Sequence, residues 1–237
     1  MPNYISLWSG PRNVSTALMY SFAQRAEVKV VDEPFFGVFL QRNPQVFRPS
    51  RAEVLQAMPL KEEEVLKELH SLSQSHSQLF LKNMVNHWPL INWEEKKQWR
   101  HVFLFRNPQP VIESFSKQVH QPQLFDLGYA EQLKAIMDLE QAGIPFYLLQ
   151  SEAILQDPEK ELSKLCSFLN IPFEKSMLQW PAAARPEDGP WAKYWYQNVH
   201  KSTGFAPYKP KTSPLSPSFE KLAQEAHLYY QKILSYL

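Results

Sequence analysis

Only one cysteine occurs in the sequence, Cys166, so no disulfide can form within the chain, and a reducing, cytoplasmic setting is expected. Its neighbours Leu165, Phe168 and Leu169 are apolar, which marks it as a buried structural thiol. Glycine is scarce, with 6 residues against 20 prolines, and this argues for rigid loops. No apolar run approaches about 18 residues, so no membrane span is expected. The N-terminus shows no basic stretch followed by an apolar one, so no secretory signal is expected either. The 25 Lys and Arg nearly cancel the 24 Asp and Glu, leaving a net charge of +1. That balance excludes a general attraction to nucleic acid or membrane surfaces, and any anion site has to be built locally. There is no H-E-x-x-H and no Cys/His spacing suited to a metal, so none is expected. No repeat and no low-complexity tract is visible.

What remains is a globular chain of 237 residues, 44 % apolar and 21 % charged, read as a single domain over 1–237. Apolar runs predict strands at Tyr4–Trp8, Val28–Val31, Gln78–Met84, Arg100–Phe105 and Pro145–Leu149. Helical patterns alternate with them, at Ala17–Gln24 with Ser15 or Thr16 as cap, and at Lys61–Ser75, Pro110–Gln118 and Tyr129–Gln141. Phe36–Leu40 reads as a short helix, Asn92 as the cap of another over Trp93–Trp99, and 43–60 as irregular. A helix from Pro158 to Leu169 opens on Asp157, and two more are expected at Trp191–Lys201 and Ser218–Leu237. Continuously apolar strands alternating with helices predict an α/β three-layer sandwich on a five-stranded parallel sheet, with a helical C-terminal third.

The sequence is organised around the stretch after the first strand, Gly10-Pro11-Arg12-Asn13-Val14-Ser15-Thr16. A tight loop opening a helix presents unpaired backbone N–H groups and the positive end of the helix dipole, and Arg12 adds a planar fork of donors. The expected guest is a phosphate or sulfate group. The ATP-binding pattern G-x-x-x-x-G-K-[ST], started from Gly10, meets Ser15 at the second glycine, Thr16 at the lysine and Ala17 at the metal-binding hydroxyl. A second element follows the fourth strand, where Arg106 at a strand end and Ser114 eight residues on make a suitable pair for a phosphate. A third is the acid pair Asp32-Glu33 before Pro34-Phe35-Phe36, which supplies a candidate general base. Lys82 stands at the end of the third strand, with His87 five residues further on. Lys209 and Lys211 read as solvated.

The three elements together resemble the P-loop sulfotransferases that use 3′-phosphoadenylyl sulfate (PAPS). Arg12-Asn13-Val14-Ser15-Thr16 is similar to their phosphosulfate loop K-S-G-T-T, with Val14 in the glycine position. Arg106-Asn107-Pro108 with Ser114 is similar to their 3′-phosphate element R-N-P-x-D-x-x-x-S, with Pro110 in place of the Asp. Asn83 stands where related sequences often carry Asp. The resemblance covers about residues 4 to 205 and implies a P-loop NTPase-like fold. It implies transfer of a sulfuryl group from PAPS to a hydroxyl or amine of a small-molecule acceptor, leaving adenosine 3′,5′-bisphosphate. In that reading Gly10 to Thr16 cradle the phosphosulfate, with Arg12 on the reacting oxygens, and Arg106 and Ser114 hold the 3′-phosphate. Glu33 or His87 is the base, and Lys82 is a further contact. The turn Lys201-Ser202-Thr203-Gly204 closes over the nucleotide, while Trp191, Tyr194 and Trp195 shape the acceptor pocket. Two other readings stay open, a small-molecule kinase on the same sheet and a non-catalytic nucleotide-binding relative.

Overall fold

The strands are continuously apolar because both faces of the sheet are covered. In the computed structural model, which describes residues 3–210 and 215–237, β1 (Asn3–Ser9), β2 (Val28–Asp32), β3 (Gln78–Met84), β4 (Arg100–Phe105) and β5 (Phe146–Gln150) form one sheet in the order β2-β3-β1-β4-β5. Every neighbouring pair is parallel. Side chains alternate between two cores as the two-residue period requires. Leu79, Leu81, Phe103 and Phe105 enter one core, whereas Ile5, Leu7, Phe80, Val102 and Leu104 enter the other.

The helices complete the outer layers. They are α1 (Ser15–Phe22), α2 (Phe36–Arg42), α3 (Arg51–Ala57), α4 (Glu62–Ser73), α5 (Pro108–Phe115) and α6 (Leu124–Leu127), then α7 (Tyr129–Gln141), α8 (Ser151–Gln156), α9 (Pro158–Leu169), α10 (Ala192–Trp195) and α11 (Glu220–Leu234). The first core packs under α4, α5, α7 and α11, and the second under α1 and α9. Cys166 is buried in the second core, where burial pushes its thiol up to about 11. A third, smaller cluster joins Phe36, Phe39 and Leu40 of α2 to Trp191 and Tyr196 from the C-terminal part.

This topology sets the site. The chain leaves β1 for β2 on one side of the sheet, while β4 and β5 lie on the other. The carboxyl ends of β1 and β4 are therefore adjacent at the switch point, where α/β sheets bind their ligands.

Several expectations need correction. Residues 43–60 are not wholly irregular, since they contain α3. The helix expected over Trp191–Lys201 is broken into α10 and a short 3₁₀ turn at Val199–Lys201. Trp93–Lys96 is 3₁₀, and the Asn92 side chain donates to Glu95 instead of capping. Neither Ser15 nor Thr16 caps α1, because Val14 is its N-cap residue and no side chain accepts there. The helix after β4 starts at Pro108, two residues early, with Asn107 Oδ1 accepting from Gln109 N at 3.0 Å. The last helix starts at Glu220, after a 3₁₀ turn at Pro217–Phe219. Lys209 is exposed as expected, and Lys211 lies outside the described residues.

Candidate active site

The loop between β1 and α1 turns on two residues with left-handed backbone, Arg12 at φ 61° and Val14 at φ 57°. Alternating backbone of this kind turns successive N–H groups towards one point, which suits an anion. For a β-branched residue the left-handed region is strained, by about 1–3 kcal/mol, so surrounding contacts have to enforce it. They are present. Asn13 is buried and donates from Nδ2 to the Leu104 carbonyl at 3.2 Å, and its own carbonyl accepts from Ser151 Oγ at 2.9 Å. Arg106 donates from Nη1 to the Arg12 carbonyl at 3.1 Å. Val14 thus takes the left-handed backbone, which glycine adopts most easily, at the position where K-S-G-T-T has glycine.

The Arg12 side chain crosses to α5. Its Nε donates to Ser114 Oγ at 2.8 Å and its Nη1 to the Trp195 carbonyl at 3.4 Å, both neutral acceptors. Burial, and then the charge of Arg106, lower the Arg12 pKa. Two guanidinium groups held near a hydroxyl and a helix start make a site whose charge an anion would balance. Arg106 is fixed from behind by Tyr129, whose hydroxyl donates to the Arg106 carbonyl at 2.8 Å. Its Nε is buried without a hydrogen-bond acceptor, with Glu152 Oε1 at 3.9 Å.

A second group forms where β2 meets β3. Register pairs Asp32 with Lys82, and Glu33, in left-handed backbone at φ 45°, donates its N–H to the Lys82 carbonyl at 2.7 Å. Lys82 Nζ reaches Asp32 Oδ1 at 3.0 Å, Glu33 Oε1 at 2.5 Å and the Tyr196 hydroxyl at 2.8 Å. All four residues are buried. Burial raises the Glu33 pKa; Lys82 and Arg48 oppose the rise and Asp32 adds to it. Burial alone would depress Lys82, but Asp32 and Glu33 outweigh it and hold Lys82 well above the ordinary lysine value. The cause is arithmetic: one cation serves two carboxyl groups away from water.

His87 lies on a 3₁₀ turn, Val85–Leu90, against the rings of Phe36 and Phe39 at 5.8 Å and 5.0 Å. Burial, helped by the charges of Lys82 and Arg48, lowers its pKa to about 3, and its Nδ1 has no hydrogen-bond partner.

One cavity of about 580 Å³ connects these groups. The loop from Pro11 to Ala17, Arg106 and Ser114 line one part of it, and Glu33, Lys82, His87 and Tyr196 line another. Trp191, Trp195, Phe36, Phe39, Phe115 and Met84 supply apolar wall. Gly10 does not line it. A Cβ there would stand 2.4 Å from the Leu127 carbonyl oxygen, so Gly10 lets α6 approach the loop. Ser202 and Gly204 of the Lys201–Gly204 turn reach the cavity, while Lys201 and Thr203 face a neighbouring depression. Tyr194 is not among the lining residues.

Three participants escaped the sequence reading. Tyr196 joins the buried acid group through its hydroxyl, and Arg48 and Asp126 form an ion pair of 2.9 Å in the cavity wall. Tyr196 lies 114 residues from Lys82, and no spacing rule links them.

A five-stranded parallel sheet flanked by helices, with a tight strand-to-helix loop after its central strand, is a P-loop-type fold. The chain belongs to the sulfotransferase domain family, whose model matches residues 3–235. Solved structures agree on the fold. The sulfotransferase domain of the Synechococcus PCC 7002 olefin synthase superposes with a TM-score of 0.60 at 19 % identity, covering 94 % of each chain. The sulfotransferase of Alicyclobacillus acidocaldarius gives 0.59 at 12 % identity, covering 97 % of this chain and 92 % of that one. Branched-chain-amino-acid aminotransferase-like protein 1 of Arabidopsis thaliana is 41 % identical over 231 residues. That match covers 96 % of this chain but only 41 % of the relative, so the chain spans about two fifths of that protein's length. Among the described residues no helix is long and apolar enough to cross a membrane.

Proposed function

We propose that this chain, read as one domain, is a sulfotransferase that takes its sulfuryl group from PAPS and passes it to a hydroxyl or amine of a small-molecule acceptor. The observation that carries the reading is the shared cavity, with paired arginines and Ser114 in one part and a buried carboxyl–lysine group in the other. The donor set fits the cofactor. Arg12, Arg106, Ser15, Thr16 and Ser114 offer two guanidinium groups, three hydroxyls and a helix start to its phosphate and sulfate oxygens. When bound, PAPS supplies a sulfuryl group on a phosphate that leaves readily.

Each side chain then has a task. Backbone N–H groups from Asn13 to Thr16 bind the phosphosulfate end, with Arg12 beside them to offset charge on the leaving oxygens. Arg106 and Ser114 bind the 3′-phosphate, which ATP lacks, and so set nucleotide selectivity. Glu33 takes the acceptor proton at Oε2, the oxygen that Lys82 does not hold. A carboxyl group raised by burial is a better base near neutral pH than an imidazole lowered to about 3, and His87 is assigned to contact the acceptor instead. Lys82 holds Glu33 in place. The Ser202–Gly204 turn covers the nucleotide, and the aromatic wall excludes water from the reacting groups.

The test is conversion of PAPS to adenosine 3′,5′-bisphosphate in the presence of a panel of alcohols and amines. Turnover should appear with at least one acceptor and fall roughly 100-fold or more in Glu33→Gln, with bisphosphate affinity kept. Turnover of ATP but not of PAPS would refute the proposal.

A further inference from the structure

We propose that Tyr196 is a positioning residue, whose hydroxyl fixes Lys82 and, through Lys82, the carboxyl group of Glu33. The inference rests on Glu33 being the base, as proposed above.

A lysine ammonium has three N–H donors, and here each has one acceptor, Asp32 Oδ1, Glu33 Oε1 and the Tyr196 hydroxyl. The hydroxyl is equally full. It donates to Asp32 Oδ2 at 2.8 Å and accepts from Lys82 Nζ and from Trp191 Nε1, the latter at 3.0 Å. Asp32 Oδ2 also accepts from the Gly189 N–H at 3.3 Å. Asp32 is therefore served by two donors besides Lys82, and the lysine can stay astride both carboxyl groups.

Without the hydroxyl, Asp32 loses a donor and Lys82 loses an acceptor. Both losses draw Nζ towards Asp32 and away from Glu33. The other groups around Glu33 do not replace it. Arg48, from the segment before α3, is committed to Asp126 and to the Phe47 carbonyl, and His87 is neutral. Tyr196 reaches this position because α10 stops at Trp195, whose carbonyl accepts from Arg12. Adjacent residues of one C-terminal turn thus touch the anion loop and the base. A purely structural Tyr196 would act through its ring, which packs with Phe36, Phe39 and Trp191. Tyr196→Phe keeps the ring and removes only the hydroxyl.

The experiment follows the Glu33 side-chain carboxyl by ¹³C NMR against pH in wild type and Tyr196→Phe, with Glu33→Gln assigning the signal. Adenosine 3′,5′-bisphosphate affinity and the pH profile of PAPS turnover, with water as acceptor if no other is known, run alongside. The proposal expects the Glu33 midpoint to rise by about half a pH unit or more. It expects the acidic limb of turnover to move with it, kcat to fall roughly tenfold and bisphosphate affinity to stay within about twofold. An unchanged midpoint overturns it, whatever happens to thermal stability. If Tyr196→Phe does not fold, 4-aminophenylalanine in place of Tyr196 keeps the ring and a donor to Asp32 but offers Lys82 a poorer acceptor, and it should move the midpoint in the same direction by less; no movement there is the overturning result. A Glu33 midpoint that shifts in a protein with no PAPS turnover would contradict the proposed function and leave the positioning intact.

Discussion

Arg12 Nε donates a 2.8 Å hydrogen bond to Ser114 Oγ, across 102 positions of sequence. The bond ties the loop after β1 to the helix after β4, and it couples the two ends of the proposed nucleotide site. Ser114→Ala removes a hydroxyl that accepts from Arg12 and, in the proposed site, binds the 3′-phosphate. A hydrogen bond to a charged group contributes about 1.5–3 kcal/mol, so the variant should bind adenosine 3′,5′-bisphosphate roughly 10- to 100-fold more weakly. AMP, which has no 3′-phosphate, should bind within about twofold of wild type, and calorimetry on the two ligands checks this. Equal losses for both would show that Ser114 acts on the loop alone.

Val14 is held at φ 57° and ψ 18°, where glycine is at ease and a β-branched residue is not. Val14→Gly relieves that strain but gives up a side chain packed on the second core, and it frees the unfolded chain. The opposing effects should leave stability within about 1 kcal/mol of wild type, with bisphosphate binding unchanged or slightly tighter. Thermal unfolding and calorimetry together check it. A tenfold loss of binding would mean that the valine side chain, not the backbone path, makes the loop.

His101 is fully buried. It accepts from Trp8 Nε1 at Nδ1 over 3.2 Å, which leaves Nε2 to donate to the Lys96 carbonyl at 3.2 Å. Burial lowers its pKa from 6.5 to about 4, partly opposed by that backbone bond. Below pH 6.5 the unfolded chain takes up a proton that the folded chain refuses, so stability is complete above 6.5 and falls as pH drops towards 4. The loss from this one group reaches up to about 3 kcal/mol. In His101→Gln the fall in Tm between those pH values should be shallower, though not flat, because His87 is shifted in the same direction. A slope identical to wild type would contradict the account.

All five strands were legible in the sequence to within a residue or so at each end, because a strand covered on both faces leaves an unbroken apolar run bounded by polar turns. Arg12 and Arg106 were legible too. Each follows a strand that turns into a helix, and parallel order alone brings such ends together. The C-terminal part was not. Residues 191–201 have helix-compatible composition, yet the Trp195 carbonyl bonds to Arg12 and the Tyr196 hydroxyl to Lys82 and Asp32, and the helix ends after one turn. Long-range hydrogen bonds leave no periodicity to read. Lys82 shows the same limit. Its place at a strand end was visible, but its enclosure by two carboxyl groups and a phenol depends on β2, β3 and α10 meeting.

The central claim is that the cavity holds a nucleotide with a 3′-phosphate, and calorimetric titration tests it most directly. Adenosine 3′,5′-bisphosphate, AMP and ATP are titrated into the wild-type protein and into Arg106→Ala. The account predicts that the bisphosphate binds wild type at least roughly tenfold more tightly than AMP or ATP, and that Arg106→Ala abolishes the preference. ATP binding as tightly as the bisphosphate, or a preference that survives the loss of Arg106, would contradict it.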